Sequence, residues 1–566
     1  MPAMTSVQLP PNKEYSVVPT HMSWSYDIGA TVDDNWFVAI VGDDELPDLA
    51  IGRIPIWETE QMPPAFAKTI QYNTQPNFND NWRNHLMLIA GGSGVFEDQS
   101  QRLNEKYIPK NYRVSRIYAQ SDHDDPYWGS TTKIKDYIDD GTAFIQFMGH
   151  GGGQVWSDLN LMNLGDISTL FNDNYPIISS LTCYTSNFED PGISCLGEAF
   201  VLEAGKGAIG FFGGAAKGFL DQDEYLGAYF LQSIFTFGER NSATICNVAK
   251  VEYALKYPGN IANLVFLRSF NYMGDPAIDI VLPTQELTTT LDSYQFVKGD
   301  TVSIKIGNDG STLNRISYYV TDEEDLIRNP YNQDELIQVE LNNIERESYT
   351  PSGYEYVIDT LETSSEFSRI VRTYGYDSYS DYVGHTEFSV GKAAIFHMKP
   401  IPEIPAIGDS VYISAKAYNK AGVDSINCIW WKYNAPQYQY SSPMEKSEGD
   451  TLGYVTMVPI GLFDAETTIK YYIEVHTSDG GTTISSEESF EISGPDISIE
   501  TYNMKFTTVG PVFEIELFNV GKLPTPPTKV ILRDSVSILD SLTTDTIGAL
   551  GRKKVSFNCT LPPVCV

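Results

Sequence analysis

Two residues that can carry out covalent chemistry follow two apolar segments in the first half of the chain. His150 lies in a glycine-rich stretch after the apolar run 143–148, and Cys183 lies at the end of the apolar run 176–181. A thiolate is a strong nucleophile, but a thiol of ordinary pKa is mostly protonated at neutral pH. A neighbouring imidazole can take the thiol proton and can protonate a leaving amine. The pair therefore predicts nucleophilic catalysis by Cys183 with His150 as its partner.

The surrounding pattern indicates how these two residues are positioned. Short apolar runs alternate with helical patterns, which predicts an α/β fold with a mostly parallel sheet and helices on both faces. The predicted strands are Phe37–Val41, Leu86–Ala90, Val114–Ala119, Ala143–Met148, Pro176–Leu181 and Ala208–Phe212, and the predicted helices are Gln99–Tyr107, Thr132–Asp139, Cys195–Glu203, Asp223–Phe237 and Ala243–Lys256. The separation of 183 − 150 = 33 positions fits one strand–helix–strand crossover, so both residues should emerge at the same sheet edge.

The glycines after His150 add a third element to this pattern. They let the backbone approach a scissile bond closely, and the backbone N–H groups of Gly151 and Cys183 are candidates for an oxyanion hole. Each half of the pattern also has a structural alternative. A lone cysteine is commonly a small buried hydrophobic residue. A glycine-rich loop can also hold phosphate, but this one lacks the dinucleotide and P-loop spacings. The joint pattern is more specific than either half.

Two longer segments carry a resemblance to a known family. GHGGGQVWSD at 149–158 and SLTCYTSNFEDPGISCLGEAF at 180–200 resemble the gingipain family of cysteine peptidases in the caspase clan. The flanks DDELPDLAIGRIPI at 43–56 and YMGDPAIDIVLP at 272–283 are similar to the same family, so the resemblance covers about residues 15–283. It implies a caspase-like fold, His150 as the catalytic histidine, Cys183 as the nucleophile, and an exported endopeptidase that works through an acyl-enzyme.

Two other functions remain open alongside hydrolysis. The sortase of the type IX secretion system belongs to the same family, so a transpeptidase that passes the acyl group to an amine is one alternative. A catalytically inactive cell-surface adhesin or scaffold is the other. The retained pair of His150 and Cys183 weighs against an inactive scaffold, whereas nothing in the sequence decides between water and an amine as acceptor.

The resemblance also suggests neighbours for the catalytic pair. Trp156 stands where the family often has a tryptophan, which implies a residue lining the substrate cleft, with loop packing as the alternative. Asp98 is the nearest counterpart of the acid that arginine-specific members place upstream of the histidine, with a solvated helix-cap aspartate as the alternative. A glutamate that orients the catalytic histidine has no counterpart, because the segment 89–96 reads IAGGSGVF. Cys195 matches a buried position and is predicted to be structural.

The substrate pocket is predicted to take one wall from residues 213–218, which read GGAAKG. Gly213 and Gly214 would make this wall small, and an inward Lys217 would repel a basic side chain. Strict arginine specificity needs a carboxylate at the base of the pocket, because an unpaired buried guanidinium is very costly. The sequence therefore predicts a pocket for a small or neutral side chain.

Metal binding rests on acidic clusters alone. Gingipain-like enzymes commonly carry structural calcium, so the resemblance suggests Asp33, Asp43 and Asp44 as calcium ligands, with solvated loop acids as the alternative. None of the acidic clusters has EF-hand spacing. The proposed chemistry requires no cofactor, and six cysteines without CxxC spacing argue against zinc.

The composition limits partners and location. A net charge of −36 argues against nucleic-acid partners and against docking on anionic membranes. No apolar run is long enough for a transmembrane helix, so membrane insertion is not expected. The start lacks the charged and apolar regions of a signal peptide, so we expect a processed or truncated chain. The expected place of action is extracellular or at the cell surface, with protein or peptide substrates and with cell-surface or secretion-machinery partners.

A change of pattern near residue 285 indicates the domain organisation. Helical periodicity stops there, and alternating strands with turn signals take over, which is typical of β-sandwiches. We predict a remnant of a first α/β subdomain at 1–80, a caspase-like catalytic subdomain at 81–284, β-sandwiches at 285–393 and 394–493 (the second Ig- or fibronectin-like), and a third, incomplete β module at 494–566. The β modules are expected to serve as spacers or docking surfaces.

Overall fold

The structure is a computed structural model of the 566-residue chain. It describes residues 20–25, 29–40, 45–74, 78–156, 158–190, 194–256, 261–297, 300–307, 313–322, 325–329, 335–339, 345–348, 354–357, 367–402, 405, 409–458, 467–492, 497–507, 510–519, 524–533, 538–548 and 551–558. Across these ranges, no helix has the length and apolar character needed to cross a membrane.

The first half of the chain alternates strands and helices. Its strands are β1 (Met22–Ser25), β2 (Gly29–Val32), β3 (His85–Ala90), β4 (Arg113–Tyr118), β5 (Phe144–Met148), β6 (Gly151–Gly152), β7 (Val155–Trp156), β8 (Met162–Asn163), β9 (Ile177–Leu181), β10 (Gly210–Gly214) and β11 (Phe270–Gly274). Its α-helices are α1 (Met62–Thr74), α2 (Gly94–Tyr107), α3 (Thr131–Asp140), α4 (Leu164–Ile167), α5 (Leu196–Leu202), α6 (Leu220–Phe235), α7 (Ser242–Lys256) and α8 (Ile261–Ser269). Short 3-10 helices lie at Asp34–Phe37, Thr59–Gln61, Asn79–Asn84 and Asp158–Asn160.

Six of these strands form the central sheet in the order β11–β10–β9–β5–β3–β4. The strands are parallel except for β11, which runs antiparallel to β10. One apolar core joins the sheet to α2, α6 and α7, and a second joins its opposite face to α3, α4 and α5. The predicted parallel sheet covered on both faces is therefore confirmed.

One predicted strand is wrong. The segment Phe37–Val41 was expected to be extended, but Phe37 ends the 3-10 helix that begins at Asp34. The Asp33 side chain caps this helix by accepting a hydrogen bond from the Trp36 N–H at 3.1 Å. A side-chain acceptor at this position stabilises a helical start over an extended chain.

Strands dominate the second half of the chain. They are β12 (Gln285–Glu286), β13 (Thr288–Leu291), β14 (Gln295–Phe296), β15 (Thr301–Gly307), β16 (Arg315–Asp322), β17 (Leu326–Arg328), β18 (Leu336–Gln338), β19 (Glu345–Ser348), β20 (Tyr354–Val357), β21 (Phe367–Tyr376), β22 (Asp381–Val390), β23 (Ala394–Ile401), β24 (Val411–Tyr418), β25 (Val423–Lys432), β26 (Tyr440–Pro443), β27 (Glu445–Lys446), β28 (Gly453–Val458), β29 (Thr468–Thr477), β30 (Thr482–Ile484), β31 (Glu488–Glu491), β32 (Ile497–Thr507), β33 (Gly510–Asn519), β34 (Lys529–Arg533), β35 (Ile538–Thr543) and β36 (Arg552–Asn558).

These strands pair within three β units. The first unit pairs β12, β14, β16, β19, β21 and β22 in one sheet, β13, β15 and β20 in another, and β17 with β18, around its own apolar core. The second unit has sheets β23–β24–β28–β27 and β26–β25–β29–β30, with β31 paired to β29, around a separate core. The third contains β32–β33–β36 and β34–β35. This arrangement agrees with the predicted sandwich region after the α/β sheet.

The first β unit is bound to the central sheet by buried polar contacts. Arg83, just before β3, pairs with Asp381 of β22 at 2.5 Å, and both side chains are nearly inaccessible. The side-chain amide of Gln338 accepts from the backbone N–H of Arg116 at 2.6 Å and donates to its carbonyl oxygen. Arg116 lies in the edge strand β4, so Gln338 covers the hydrogen-bonding groups that an open edge would expose.

Candidate active site

The register of two parallel strands brings the predicted catalytic residues to one sheet edge. Strands β5 and β9 pair from Phe144 with Ile177 to Met148 with Leu181, a constant offset of 33 positions. His150 and Cys183 each follow two residues after the last pair, at the carboxyl ends of these strands. The predicted placement on the same edge is therefore confirmed.

Backbone contacts join the two strand ends beyond the sheet. The Thr182 hydroxyl donates to the Gly149 carbonyl oxygen at 2.6 Å. A Cβ atom on Gly151 would lie only 2.7 Å from the Cys183 carbonyl oxygen, so the backbone at 151 passes directly over the nucleophile's own peptide. This close approach needs glycine, whereas the predicted approach of the backbone to a scissile bond stays a prediction.

Two contacts hold His150, one to its ring and one to its backbone N–H. The imidazole is exposed and packs against Phe96 of α2 in an edge-on arrangement, with ring centroids 5.1 Å apart and an interplanar angle of 90°. Its backbone N–H donates to the Oδ2 atom of Asp158 at 2.7 Å. The ring is therefore open to solvent on the side away from Phe96.

Cys183 lies in a tight turn against the segment that follows β10. Its sulfur is partly buried and accepts a hydrogen bond from the Gly218 N–H at 3.2 Å. The next residue, Tyr184, has φ = 64°, and its N–H donates to the Ala216 carbonyl oxygen at 3.0 Å. A non-glycine residue in the left-handed region costs about 1 kcal/mol or more and is commonly found at functional sites.

Burial raises the pKa of the Cys183 thiol. The Gly218 N–H and the positive charge of Lys217 act in the opposite direction, while a negative charge on Asp223 raises the pKa further. Burial also holds the pKa of Asp223 itself well above the usual range of an aspartate. The thiol is consequently neutral at physiological pH, and the site needs a base to generate the thiolate.

Asp158 and Asp223 are the site residues that sequence reasoning missed. Asp158 ends the glycine-rich motif that begins at Gly149, but its distance from His150 in the chain gives no sign of a contact. Asp223 lies in a run of acidic residues at the start of α6, a pattern that is typical of solvent-exposed side chains. In the structure its Oδ1 atom is buried without a hydrogen-bond partner, and its carboxylate fills the space that a Cβ atom on Gly218 would take.

Trp156 does not line the cleft. Its side chain has 0% exposure, stacks on Phe147 at 4.6 Å between ring centroids, and donates from Nε1 to the Ser180 hydroxyl at 3.0 Å. The prediction of a substrate contact is wrong, because an aromatic surrounded by the second apolar core reduces its free energy most by full burial. The alternative interpretation, packing beneath the loop, is the one that the structure supports.

The wall after β10 is shorter than the sequence indicated. Gly213 and Gly214 are buried inside β10, where Gly213 pairs with Ser180, so they do not form a loop wall. The turn itself begins at residue 215 and carries the exposed Lys217 next to the nucleophile. Cys195 is 1% exposed at the start of α5, which agrees with its predicted structural role.

The remaining predicted residues lie away from this cluster or outside the described residues. Asp98 is exposed on α2, and two residues of helix turn it about 200° away from Phe96, which contacts His150. Asp33 is buried, caps a 3-10 helix and accepts from the Ser23 hydroxyl. Asp43 and Asp44 fall outside the described residues. No group of three or more potential ligands occurs in the described ranges, and calcium binding stays a prediction.

A small cleft is lined by residues that follow the two predicted catalytic residues, His150 and Cys183, in the chain. It has a volume of about 190 Å³ and is lined by Gly153, Gln154, Asn187, Asp190 and Ser194. Gly153 and Gln154 follow His150, whereas Asn187 and Asp190 follow Cys183. The cleft therefore lies next to the site and presents small and polar groups to it.

Removing the positive charge of Lys217 should slow the alkylation of Cys183. Lys217→Met takes away a charge that lowers the thiol pKa, so the pKa rises further and less thiolate is present at any pH below it. Because Lys217 is exposed, we expect only about a two- to threefold lower rate with iodoacetamide between pH 7 and 9.

Two other variants set the scale for this measurement. Lys135→Met removes an exposed charge from α3, where Lys135 bonds Thr169, and should leave the pH–rate profile unchanged. Asp223→Asn should shift the pH–rate profile toward lower pH, because it removes a negative charge that raises the thiol pKa. The shift should appear only at pH values above the raised pKa of Asp223, where the wild-type carboxyl is ionised. A faster rate in Lys217→Met would contradict this account of the thiol.

Comparisons with known proteins point to one family. Residues 5–281 match the model of peptidase family C25. Gingipain R2 of Porphyromonas gingivalis is 25% identical over 163 residues, which are 27% of this chain and 21% of that protein. Gingipain R1 of the same organism has the same identity over 163 residues, 27% of this chain and 16% of that protein. The chain thus spans less than a quarter of the length of either relative.

Similar solved structures include the crystal structure of the Arg-specific cysteine proteinase gingipain R. It has a TM-score of 0.40 and 14% sequence identity, over 64% of this chain and 79% of that one. A complex of the pro- and mature domains of RgpB from P. gingivalis has a TM-score of 0.39 and 14% identity, over 63% of this chain and 81% of that one.

Proposed function

We propose, on the premise that residues 5–281 belong to the gingipain-like cysteine peptidases of family C25, that this chain hydrolyses peptide bonds with Cys183 and His150. One observation carries the proposal. The 33-position offset between β5 and β9 sets both residues two positions beyond neighbouring strand ends, where a parallel sheet opens its ligand-binding edge.

The proposed reaction follows from the groups at this edge. His150 takes the proton of the Cys183 thiol as the sulfur attacks the carbonyl carbon of the scissile peptide. The N–H groups of Cys183 and Gly151 stabilise the oxyanion, and the imidazolium then protonates the amine as the C–N bond breaks. A water molecule, deprotonated by His150, attacks the thioester, and the acid leaves as the thiol is restored.

The raised pKa of the Cys183 thiol determines at which step of the reaction the thiol loses its proton. A neutral thiol in the resting enzyme is protected from oxidants and metals, because the thiolate is the reactive form. We propose that the thiolate forms only while the imidazole accepts the proton from sulfur, as in general-base catalysis. The exposed ring of His150 leaves room for this transfer and for a substrate beside it.

On the same premise we propose that the enzyme acts outside the cell or at its surface, on protein or peptide substrates. The net charge of −36 supports a protein that stays in solution and away from anionic surfaces. The β units are proposed to contact other surface or secretion components.

Profiling a peptide library with the full chain tests the function and its specificity together. We expect cleavage with a small or neutral residue before the cut, because Lys217 is exposed beside the sulfur and Asp223 is buried behind Gly218. For two peptides that differ only at this residue, the kcat/KM for arginine should exceed that for alanine by less than about a thousandfold.

Three other outcomes of this experiment have distinct meanings. A preference for arginine above a thousandfold would contradict the specificity, and would mean that the Asp223 carboxylate reaches the pocket. Products extended by an added amine, such as a glycine peptide, would identify a transpeptidase. No cleavage together with no selective labelling of Cys183 by a thiol-directed probe would refute the peptidase and leave a scaffold.

A further inference from the structure

The carboxylate of Asp158 lies where the turns after β3 and β5 meet. Its Oδ2 atom accepts the backbone N–H of His150 at 2.7 Å. A Cβ atom on Gly91 would lie 2.1 Å from the same oxygen, and one on Gly149 would lie 3.0 Å from it. Asp158 thus fills the space that side chains at both glycines would otherwise take.

The turn after the neighbouring strand β3 supplies no acidic residue at the position that the Asp158 carboxylate occupies. Strand β3 lies beside β5, and the Gly91 N–H donates to the Met148 carbonyl oxygen at 2.7 Å. The turn after β3 consists of two glycines and a serine, and the first acidic residue of α2 is Glu97. The carboxylate therefore comes from a residue that follows His150 in the chain, at the start of the 3-10 helix Asp158–Asn160.

We propose that Asp158 is the positioning residue of His150. It fixes the backbone of the histidine through a charge-assisted hydrogen bond, while Phe96 holds the edge of the ring. The two contacts together set the direction of the imidazole toward the next strand end. This inference rests on the proposed function. It also explains why positions 91 and 149 are glycines, since the carboxylate occupies the space that side chains there would take.

The geometry gives the expected sizes of the effects. A catalytic group that moves by about 1 Å can lose a hundredfold in rate, so we expect Asp158→Ala to lower kcat/KM by about 30- to 100-fold. Most of the loss should fall on kcat, because the substrate-binding groups stay in place. Asp158→Asn keeps a side-chain oxygen that can accept the His150 N–H and should stay within about fivefold of wild type.

Two glycine substitutions in one turn supply a matched pair. Gly91→Ala puts a methyl group onto the Asp158 oxygen and should reproduce most of the loss seen in Asp158→Ala. Gly94→Ala, three residues later at the start of α2, meets no atom within 4 Å and should leave activity unchanged. In the Asp158→Ala background, Gly91→Ala should cost less than it does in wild type, because the clashing oxygen is gone and a contact with the Gly149 Cα atom at 3.0 Å remains.

The test measures kcat and KM for these variants of the full chain, together with the pH dependence of Cys183 alkylation. A loss of histidine positioning should give Asp158→Ala the alkylation profile of His150→Ala, whereas general loosening of the fold would not. Equal activity of Asp158→Ala and wild type, or additive losses in the double variant, would overturn the proposal. A wild-type chain that neither cleaves peptides nor shows selective Cys183 alkylation would instead refute the proposed function and this inference with it.

Discussion

Replacing Cys183 with alanine should lower peptide hydrolysis by about 10⁴-fold or more. Loss of the nucleophile removes the acyl-enzyme route, and only binding and oxyanion stabilisation remain. The thermal midpoint should change little, since the sulfur is only partly buried and its hydrogen bond from the Gly218 N–H is at 3.2 Å. The measurement is kcat/KM on the best library peptide, with the thermal unfolding midpoint of each variant.

Cys195→Ala is the matched control for this experiment. Its side chain is 1% exposed within the second apolar core, so its truncation should cost about 1 kcal/mol of stability while activity remains. The opposite pattern, with Cys183→Ala active or strongly destabilised, would show that Cys183 is a packing residue. Loss of activity in both variants would indicate that both substitutions disrupt the fold.

The parts of the site that depend on local pattern could be predicted from the sequence. Strands β5 and β9 are short apolar runs between helices, and the parallel arrangement follows from that alternation. Their register then places His150 and Cys183 without further information. The end of β10 was predicted two residues early, because Gly213 and Gly214 have no side chains to continue an apolar pattern.

The parts that depend on distant contacts could not be predicted. Asp158 meets Gly91 across 158 − 91 = 67 positions, and nothing local to either residue indicates that they touch. The depth of Trp156 is set by Phe147 beneath it, so its sequence position alone fits both a cleft wall and a core residue. Arg83 and Asp381 are separated by 298 positions, which hides the docking of the first β unit on the sheet.

This docking changes how the first β unit contributes to the peptidase. The unit was expected to serve as a spacer or docking surface, like the β units after it. Gln338 covers the edge of the catalytic sheet at Arg116, and the Tyr374 hydroxyl donates to the Phe78 carbonyl oxygen at 3.0 Å. These contacts tie the first β unit to the edge strand β4 and to the residues that lead into β3, the strand that pairs with β5.

Replacing Asp381 with alanine should therefore destabilise the catalytic domain by about 3 kcal/mol or more. Arg83 would keep its buried position without the carboxylate that neutralises it, and the loss of one partner of a buried pair typically costs about 3–5 kcal/mol. The Tyr374 hydroxyl would also lose an acceptor at 3.3 Å. The measurement is the urea midpoint of the unfolding transition that exposes the buried Cys195 to a thiol reagent.

A surface pair between the first and second β units gives the comparison that decides the meaning of this result. Asp300 and Lys420 are paired at 3.1 Å, but 32% and 51% of their side chains are exposed. Asp300→Ala should cost less than about 1 kcal/mol, because water screens and replaces the lost partner. Equal and small effects of both substitutions would mean that the first β unit is only loosely held. A large effect of Asp381→Ala on the protection of Cys195 would mean that the α/β domain folds as one unit with residues 285–393.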